Sequence, residues 1–351
     1  MAKILLVGDD YIGREFLREG FAIFREQGYE IAEFDWLQGG LEKLSGLNRL
    51  IEKEGPGCRS VRIPDEVREL IRDADMLVIQ FFPVSRELLE SAPRLSIIGT
   101  VRTGLENIDV ACARERNIAI FNTPGRLAET VSDYAIAFLL AEARNLARGH
   151  AALKQGNWRR DYINNPWVPE LGGRTVGLMG FGKIGQAVAR KLTGWKVTIL
   201  AADPFARVET ARDLDVELTD LDTLLARSDF VSLHANLTKE NYNMIGEKQL
   251  SLMKPTAIIV NTARGGLIDE RALCRALVER RIGGAAIDVF EHEPPPHDHP
   301  LLGLDNCTVS PHLAGSSVDC MRNSPKTLAR AIFDELVLGK DTGFRVIGRE
   351  R

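Results

Sequence analysis

Thr175-Val-Gly-Leu-Met-Gly180-Phe-Gly182-Lys183-Ile184-Gly185 runs from a compact apolar stretch directly into three glycines spaced Gly-x-Gly-x-x-Gly. Gln186–Leu192 follows with helical composition, then the apolar run Lys196–Ala201, and the chain reaches Asp203 eighteen residues beyond Gly185. Glycines alone say little, but strand, glycine turn, helix, strand and acid in this order form the context in which the spacing has meaning. Gly180 permits a tight turn, Gly182 lets a phosphate approach the backbone, and Gly185 lets the helix pack close to the strand. The helix start at Lys183 and Ile184 turns unused N–H groups toward an anion. Asp203 can accept hydrogen bonds from a ribose and repels an additional phosphate there. No arginine directly follows it, Arg207 being the nearest, so the pattern predicts NAD rather than NADP.

Working outward, four further strand-like runs follow: Phe230–Leu233, Ala257–Val260, Gly284–Ile287 and Cys307–Val309. In an open parallel sheet the ligand lies beyond the carboxyl ends of the strands, so residues at those ends share one crevice. They are His234, then Asn261-Thr262-Ala263-Arg264, then Asp288 with Glu293, then His312. One guanidinium, two carboxylates and two imidazoles suit the interconversion of a 2-hydroxy and a 2-keto acid. That reaction needs a proton donor and acceptor, a cation for the carboxylate and carbonyl, and a partner that tunes the base. His312, with an ordinary pKa of about 6.5, is the expected acid/base. Glu293 is its expected partner, and Arg264 offers the planar fork. His234, Thr262, Asp288 and Gly315 are expected to line the cofactor.

The first 120 or so residues alternate strand-like runs (Lys3–Val7, Glu30–Phe34, Met76–Ile79, Ser96–Gly99, Ile118–Ile120) with helical ones (Arg14–Glu26, Val67–Arg72, Val110–Arg116). This alternation predicts a separate parallel α/β domain. Gly39–Ser60 reads as a partly helical surface insertion. Thr123-Pro124-Gly125 breaks the pattern, Glu129–Leu146 reads as a connecting helix, and Lys326–Val337 as a terminal amphipathic helix with a polar tail. No repeat relates the two halves.

With 351 residues and 44% apolar composition the chain can fill two cores. A net charge of −4 gives no chain-wide field for a polyanion or an anionic membrane, so neither nucleic acid nor a membrane is an expected partner. The start has too short an apolar run for a signal peptide, and no stretch reaches the roughly 20 apolar residues of a membrane helix. Five scattered cysteines without a Cys-x-x-Cys pair fit a reducing, cytoplasmic setting. The ligand-dense segment Glu291–His299 contains three consecutive prolines and reads as a stiff loop, with no metal expected. Gly8–Gly13 has the wrong spacing for a second dinucleotide turn, and Trp158-Arg159-Arg160 lacks the wider basic cluster of a nucleic-acid surface.

Together Asn107-Ile-Asp109, Asn122-Thr-Pro-Gly125, Gly180–Gly185, Asn261–Gly265, Gly284–Phe290 with Glu293-Pro294, and Ser310–Gly315 resemble the D-isomer-specific 2-hydroxyacid dehydrogenases, most of all the D-3-phosphoglycerate dehydrogenase branch. The resemblance spans nearly the whole chain. It implies two doubly wound parallel-sheet domains, with a Rossmann NAD-binding domain (123–315) inserted into a flavodoxin-like substrate domain (1–122 and 316–351). It implies Arg264, Glu293 and His312 as the catalytic set, Thr103 and Gly104 as the loop whose N–H groups receive the substrate carboxylate, and a homodimer joined through the NAD-binding domain. Where many members have Arg-x-Gly-x-Gly, this chain has Thr100-Val-Arg102-Thr103-Gly104. A cation at Arg102 beside the carboxylate loop suits a second anionic or polyhydroxylated group, so a sugar acid or a phosphorylated acid such as 3-phosphoglycerate is the expected substrate. The end at Arg351 leaves no room for the extra regulatory domain of longer phosphoglycerate dehydrogenases. The alternatives are an NAD(H)-sensing regulator or corepressor on the same scaffold, and a formate- or phosphonate-oxidising relative.

Overall fold

The computed structural model describes residues 2–58 and 61–347, except for the side chain of Glu52. Arg59 and Ser60 of the expected insertion and the tail beyond Ile347 lie outside the described residues. The chain divides into two compact units, one made of the residues up to Arg126 and from Ser317 on, the other of Leu127–Ser316.

In the first unit the order is β1 (Lys3–Asp9), α1 (Arg14–Gly20), α2 (Ala22–Glu26), β2 (Glu30–Trp36), α3 (Leu41–Glu54), α4 (Asp65–Ile71), β3 (Met76–Ile79), α5 (Arg86–Glu90), β4 (Ile97–Thr100), α6 (Val110–Glu115) and β5 (Ala119–Phe121). The β-branched runs form strands because both faces of the sheet are covered. Two departures from the sequence reading have clear causes. The helix expected over 14–26 is interrupted at Phe21, whose ring is fully buried. The segment expected as a surface insertion holds the fourteen-residue α3, which buries Leu44 and Ile51 in the core. Asp9 fastens the loop after β1 by accepting from the N–H groups of Tyr11, Ile12 and Phe81 (2.9, 2.8 and 3.2 Å).

In the second unit follow α7 (Ala128–Ala143), α8 (Leu146–Lys154), β6 (Thr175–Met179), α9 (Lys183–Leu192), β7 (Thr198–Ala202), α10 (Val208–Asp213), β8 (Val216–Leu218), α11 (Leu221–Arg227), β9 (Phe230–Leu233), α12 (Glu247–Leu252), β10 (Ile258–Asn261), α13 (Glu270–Val278), β11 (Gly284–Ile287) and β12 (Cys307–Val309). Its seven strands are all parallel, in the order β12-β11-β10-β9-β6-β7-β8. The strand order reverses between β6 and β9, the switch point where open sheets of this kind bind dinucleotides.

The chain then returns to the first unit with α14 (Val318–Leu338) and β13 (Arg345–Ile347). Its sheet has the order β13-β5-β4-β3-β1-β2, parallel except for β13. The helix begins eight residues before the expected Lys326 because Pro325, normally a helix breaker, sits inside it. Pro325 packs where a Cβ on Gly20 would lie only 2.6 Å away. Leu328 and Ile332 press on Gly99 of β4, closing that face of the core.

Candidate active site

The glycine turn is built as tightly as its chemistry demands. Gly180 has φ +96°, and a Cβ there would lie 2.6 Å from the backbone nitrogen of Ala235, past the end of β9. A Cβ on Gly185 would meet the carbonyl oxygen of Gly180 at 2.3 Å, which fixes α9 against the turn. Gly182 differs: nothing lies within 4 Å of a Cβ there, and no side chain caps the helix it opens. Among the described residues no acceptor takes the N–H groups of Gly182, Lys183 or Ile184. An open concavity at an uncapped helix start fits the pyrophosphate of a dinucleotide.

Asp203 follows β7 and accepts the N–H of Phe181 through Oδ2 (2.7 Å) and that of Phe205 through Oδ1 (2.8 Å). The carboxylate thus shapes the glycine turn and retains lone pairs for a ribose. Arg207 is exposed and precedes α10. The backbone N–H of His234 donates to Met179 O (2.7 Å), tying the ends of β9 and β6 together. Neither ring nitrogen of His234 has a partner among the described residues, and burial pushes its pKa down to about 4, so the ring is neutral. Thr262 is buried, with its hydroxyl likewise unpartnered. These orphaned polar atoms beside the glycine turn suit a polar ligand.

At the ends of β10, β11 and β12 the structure brings Arg264, Glu293 and His312 together. Asn261 staples the Arg264 turn, donating from Nδ2 to Arg264 O (2.9 Å) and accepting the N–H of Ala263 (3.0 Å). Gly265 allows this turn against the Phe290–Glu291 backbone, where a Cβ would come within 2.0 Å. Glu293 accepts the N–H of Phe290 (3.1 Å), and its Oε2 lies 2.8 Å from His312 Nδ1. That bond raises the His312 pKa above its ordinary value, outweighing the ring's partial burial and the Arg264 charge, both of which lower it. Burial alone would raise Glu293, but the bond to His312, the ring's charge, the Phe290 N–H and Arg264 together hold its carboxyl below the usual range. Half of the His312 side chain is exposed.

Asp288 is fully buried and does a different task from lining an open crevice. Its carboxylate accepts from the Ser310 hydroxyl, the N–H of Leu313 (2.8 Å) and the N–H of Ala314 (2.9 Å). Its carbonyl accepts the N–H of His312 (2.8 Å). The residue therefore holds the loop that carries His312 and Gly315, and Oδ2, with a single donor, keeps capacity for one more. Asn261, which the strand ends brought up without a role, acts as a positioning residue, as do Gly265 and Ser310, which the strand ends did not bring up. Only the glycine, next to an arginine, offered a sequence signal.

In the other unit, Thr103 is exposed and Gly104 half-buried, and no acceptor among the described residues takes their N–H groups. Arg102 is engaged inside its own unit. Its guanidinium donates to Asn48 of α3 (2.9 Å) and Glu106 (3.2 Å) and lies 5.1 Å from the Phe81 ring centroid. The loop sequence alone could not show this, because Asn48 arrives from the inserted helix. Of the other clusters, His299 is bonded to Glu270 (3.0 Å), and Arg159 is spent in a bidentate pair with Asp305 (2.7 Å each). Among the described residues no three metal-ligating side chains converge, and no helix is long and apolar enough to cross a membrane.

The fold and the glycine turn define a dinucleotide-dependent oxidoreductase. A family model described as the NAD-binding domain of D-isomer specific 2-hydroxyacid dehydrogenases matches residues 136–314. A glyoxylate reductase of Korarchaeum cryptofilum is 43% identical over 76% of this chain and 80% of its own length. A hydroxypyruvate reductase of Thermotoga maritima is 42% identical, over 78% and 88%. A D-3-phosphoglycerate dehydrogenase of Methanocaldococcus jannaschii is 41% identical over 76% of this chain, which spans only 51% of that protein. The crystal structure of a D-lactate dehydrogenase with NAD+ from Lactobacillus jensenii shares the fold, with TM-score 0.76 and 23% identity over 98% of this chain and 99% of that one. The chain belongs to the D-isomer specific 2-hydroxyacid dehydrogenases and is an NAD-dependent oxidoreductase. Phosphoglycerate dehydrogenase is one of three names at nearly equal identity, so the comparisons define the family and not a branch within it.

Proposed function

We propose that the chain interconverts a small 2-hydroxy acid and its 2-keto acid, with His312 giving and taking the proton at the C2 oxygen. Bound NAD supplies or accepts the hydride. The observation that carries the reading is the 2.8 Å bond between Glu293 and His312 Nδ1, with Arg264 close enough for its charge to act on both. Glu293 holds Nδ1, which leaves Nε2 as the nitrogen that exchanges the proton. Arg264 polarises the carbonyl and steadies the carboxylate. The N–H groups of Thr103 and Gly104 receive the carboxylate. Gly180, Gly182, Lys183, Ile184, Gly185, Asp203, His234, Thr262, Asp288 and Gly315 form the cofactor-binding set, with pyrophosphate at the helix start and ribose on Asp203. The substrate is a sugar acid or a phosphorylated acid, a range that takes in hydroxypyruvate and 3-phosphoglycerate among the acids in the relatives' names but not glyoxylate.

The test is NADH oxidation followed by absorbance over glyoxylate, hydroxypyruvate, pyruvate and phosphohydroxypyruvate. His312→Ala is expected to slow turnover by about 10²–10⁴ with NADH affinity kept. Unchanged turnover removes His312 from this role, and NADH binding with no turnover on any acid favours a sensor. A homodimer through the NAD-binding unit is part of the same reading. Its support is α8, which buries none of its residues, together with exposed Leu146, Leu153 and Trp158. Five free thiols support a cytoplasmic setting.

A further inference from the structure

The unit built from the two ends of the chain holds a cation that this chemistry leaves unused. Arg126 lies five residues past β5. Its segment is laced to the Thr103–Gly104 loop: Asn122 Nδ2 donates to Thr103 O (2.7 Å), Thr123 N–H to Arg102 O (3.1 Å), and the Thr103 hydroxyl to Thr123 O (3.2 Å). Most of the Arg126 side chain is withdrawn from water, and burial pushes its pKa down. Its one side-chain partner among the described residues is the Cys320 sulfur, 3.7 Å from Nη1, and no carboxylate there pairs with it. Arg148, by contrast, has Glu142 as counter-ion, and Arg102 has Glu106. A withdrawn cation without a counter-ion is costly unless an anion comes to it.

Two observations indicate where that anion comes from. Arg126 feels the Tyr11 hydroxyl, in the loop after β1, and the charge of Arg102, after β4. Its guanidinium therefore reaches over the carboxyl ends of the first sheet, whose strand order reverses between β1 and β3. Gln80, the residue after β3, is 1% exposed with neither amide atom partnered among the described residues. A buried carboxamide lacking both partners at the same sheet end is a second mark of a polar ligand.

We propose that Arg126 is a specificity residue that receives a second anionic group, phosphate or carboxylate, on the tail of a 2-hydroxy or 2-keto acid whose first carboxylate meets Thr103 and Gly104. The proposal rests on the dehydrogenase reading above. A guanidinium fork suits either group, whereas glyoxylate has no tail to offer and hydroxypyruvate offers only a hydroxyl.

The experiment separates binding from turnover. The full chain, saturated with NADH, which cannot react with a hydroxy acid, is titrated with D-glycerate, 3-phosphoglycerate and D-malate. At least one dianion is expected to bind tenfold or more tightly than D-glycerate, and whichever is favoured tells phosphate from carboxylate. Arg126→Gln should abolish that preference and Arg126→Lys recover part of it. Ratios taken on one preparation cancel any misfolded fraction. Equal binding of all three acids by the parent chain, or a preference that survives Arg126→Gln, overturns the proposal. Turnover of phosphohydroxypyruvate and oxaloacetate against hydroxypyruvate is then read on the same samples. Loss of preference in Arg126→Gln with no turnover by any variant sinks the enzyme reading and keeps the anion site. Turnover without a dianion preference does the reverse.

Discussion

His312 is held in a left-handed backbone conformation, φ +55°, which a non-glycine residue adopts only when its surroundings impose it. Asp288 imposes it here, with its carbonyl on the His312 N–H and its carboxylate on the next two N–H groups. The ring is thereby presented to Glu293, whose charge favours the imidazolium. Reduction of a keto acid uses the protonated ring, so it persists below the raised pKa and fades as pH climbs through it. Oxidation uses the neutral ring and follows the opposite course. Glu293→Gln removes the largest cause of the rise. The alkaline limb of kcat/KM for reduction should then move to lower pH, and an unmoved limb in a pH-rate profile refutes the pairing. That Arg264, Glu293 and His312 lie near one another was legible in the sequence because chain position alone brings them to one edge of the sheet. Arg126, whose interest lies in what surrounds it, was not legible, nor was the engagement of Arg102 by a residue 54 positions earlier in the chain.

The turn between β6 and α9 shows how an element enforces a residue type. Alanine at 180 would need φ near +96° and would drive its Cβ to 2.6 Å from the Ala235 backbone. Strain of about 1–3 kcal/mol is the minimum cost. Gly180→Ala is expected to lower the melting temperature and weaken NADH binding tenfold or more. A variant that binds NADH like the parent shows that the turn has slack. The long β-branched strands and the helix after the glycines were legible because their period and punctuation are strong. Among the elements that went unread, β8 and β13 have three residues each and α10 has six, while the start of α14 was concealed by Pro325. The helical face of α3 went unseen for another reason. Leu44, Leu47 and Ile51 do recur at helical spacing, but the glycines, charges and Pro56 around them mask the stripe, and burial identifies it better than pattern does.

The two units differ in how the chain completes them. Leu127–Ser316 is continuous and contains its whole sheet and both of its core layers. Expressed alone, it should melt cooperatively and gain thermal stability on adding NADH, as any ligand bound only by the native form requires. Residues 2–126 alone lack α14, which covers Ile4, Leu6, Phe21, Phe24 and Val78 with Leu328, Ile332 and Phe333. That piece should show no sharp transition in calorimetry until 317–347 is supplied, and a cooperative melt without it contradicts this account.

The same return of α14 sets a timetable on the ribosome. The amino-terminal strands emerge first, yet their cover is made about 190 residues after Arg126. At roughly 5–20 residues per second, that leaves a bare apolar sheet face for roughly 10–40 s. During that interval the later-encoded unit can finish first, so the order of birth and the order of maturation run opposite ways. A nascent chain in that condition is a natural client for a holdase.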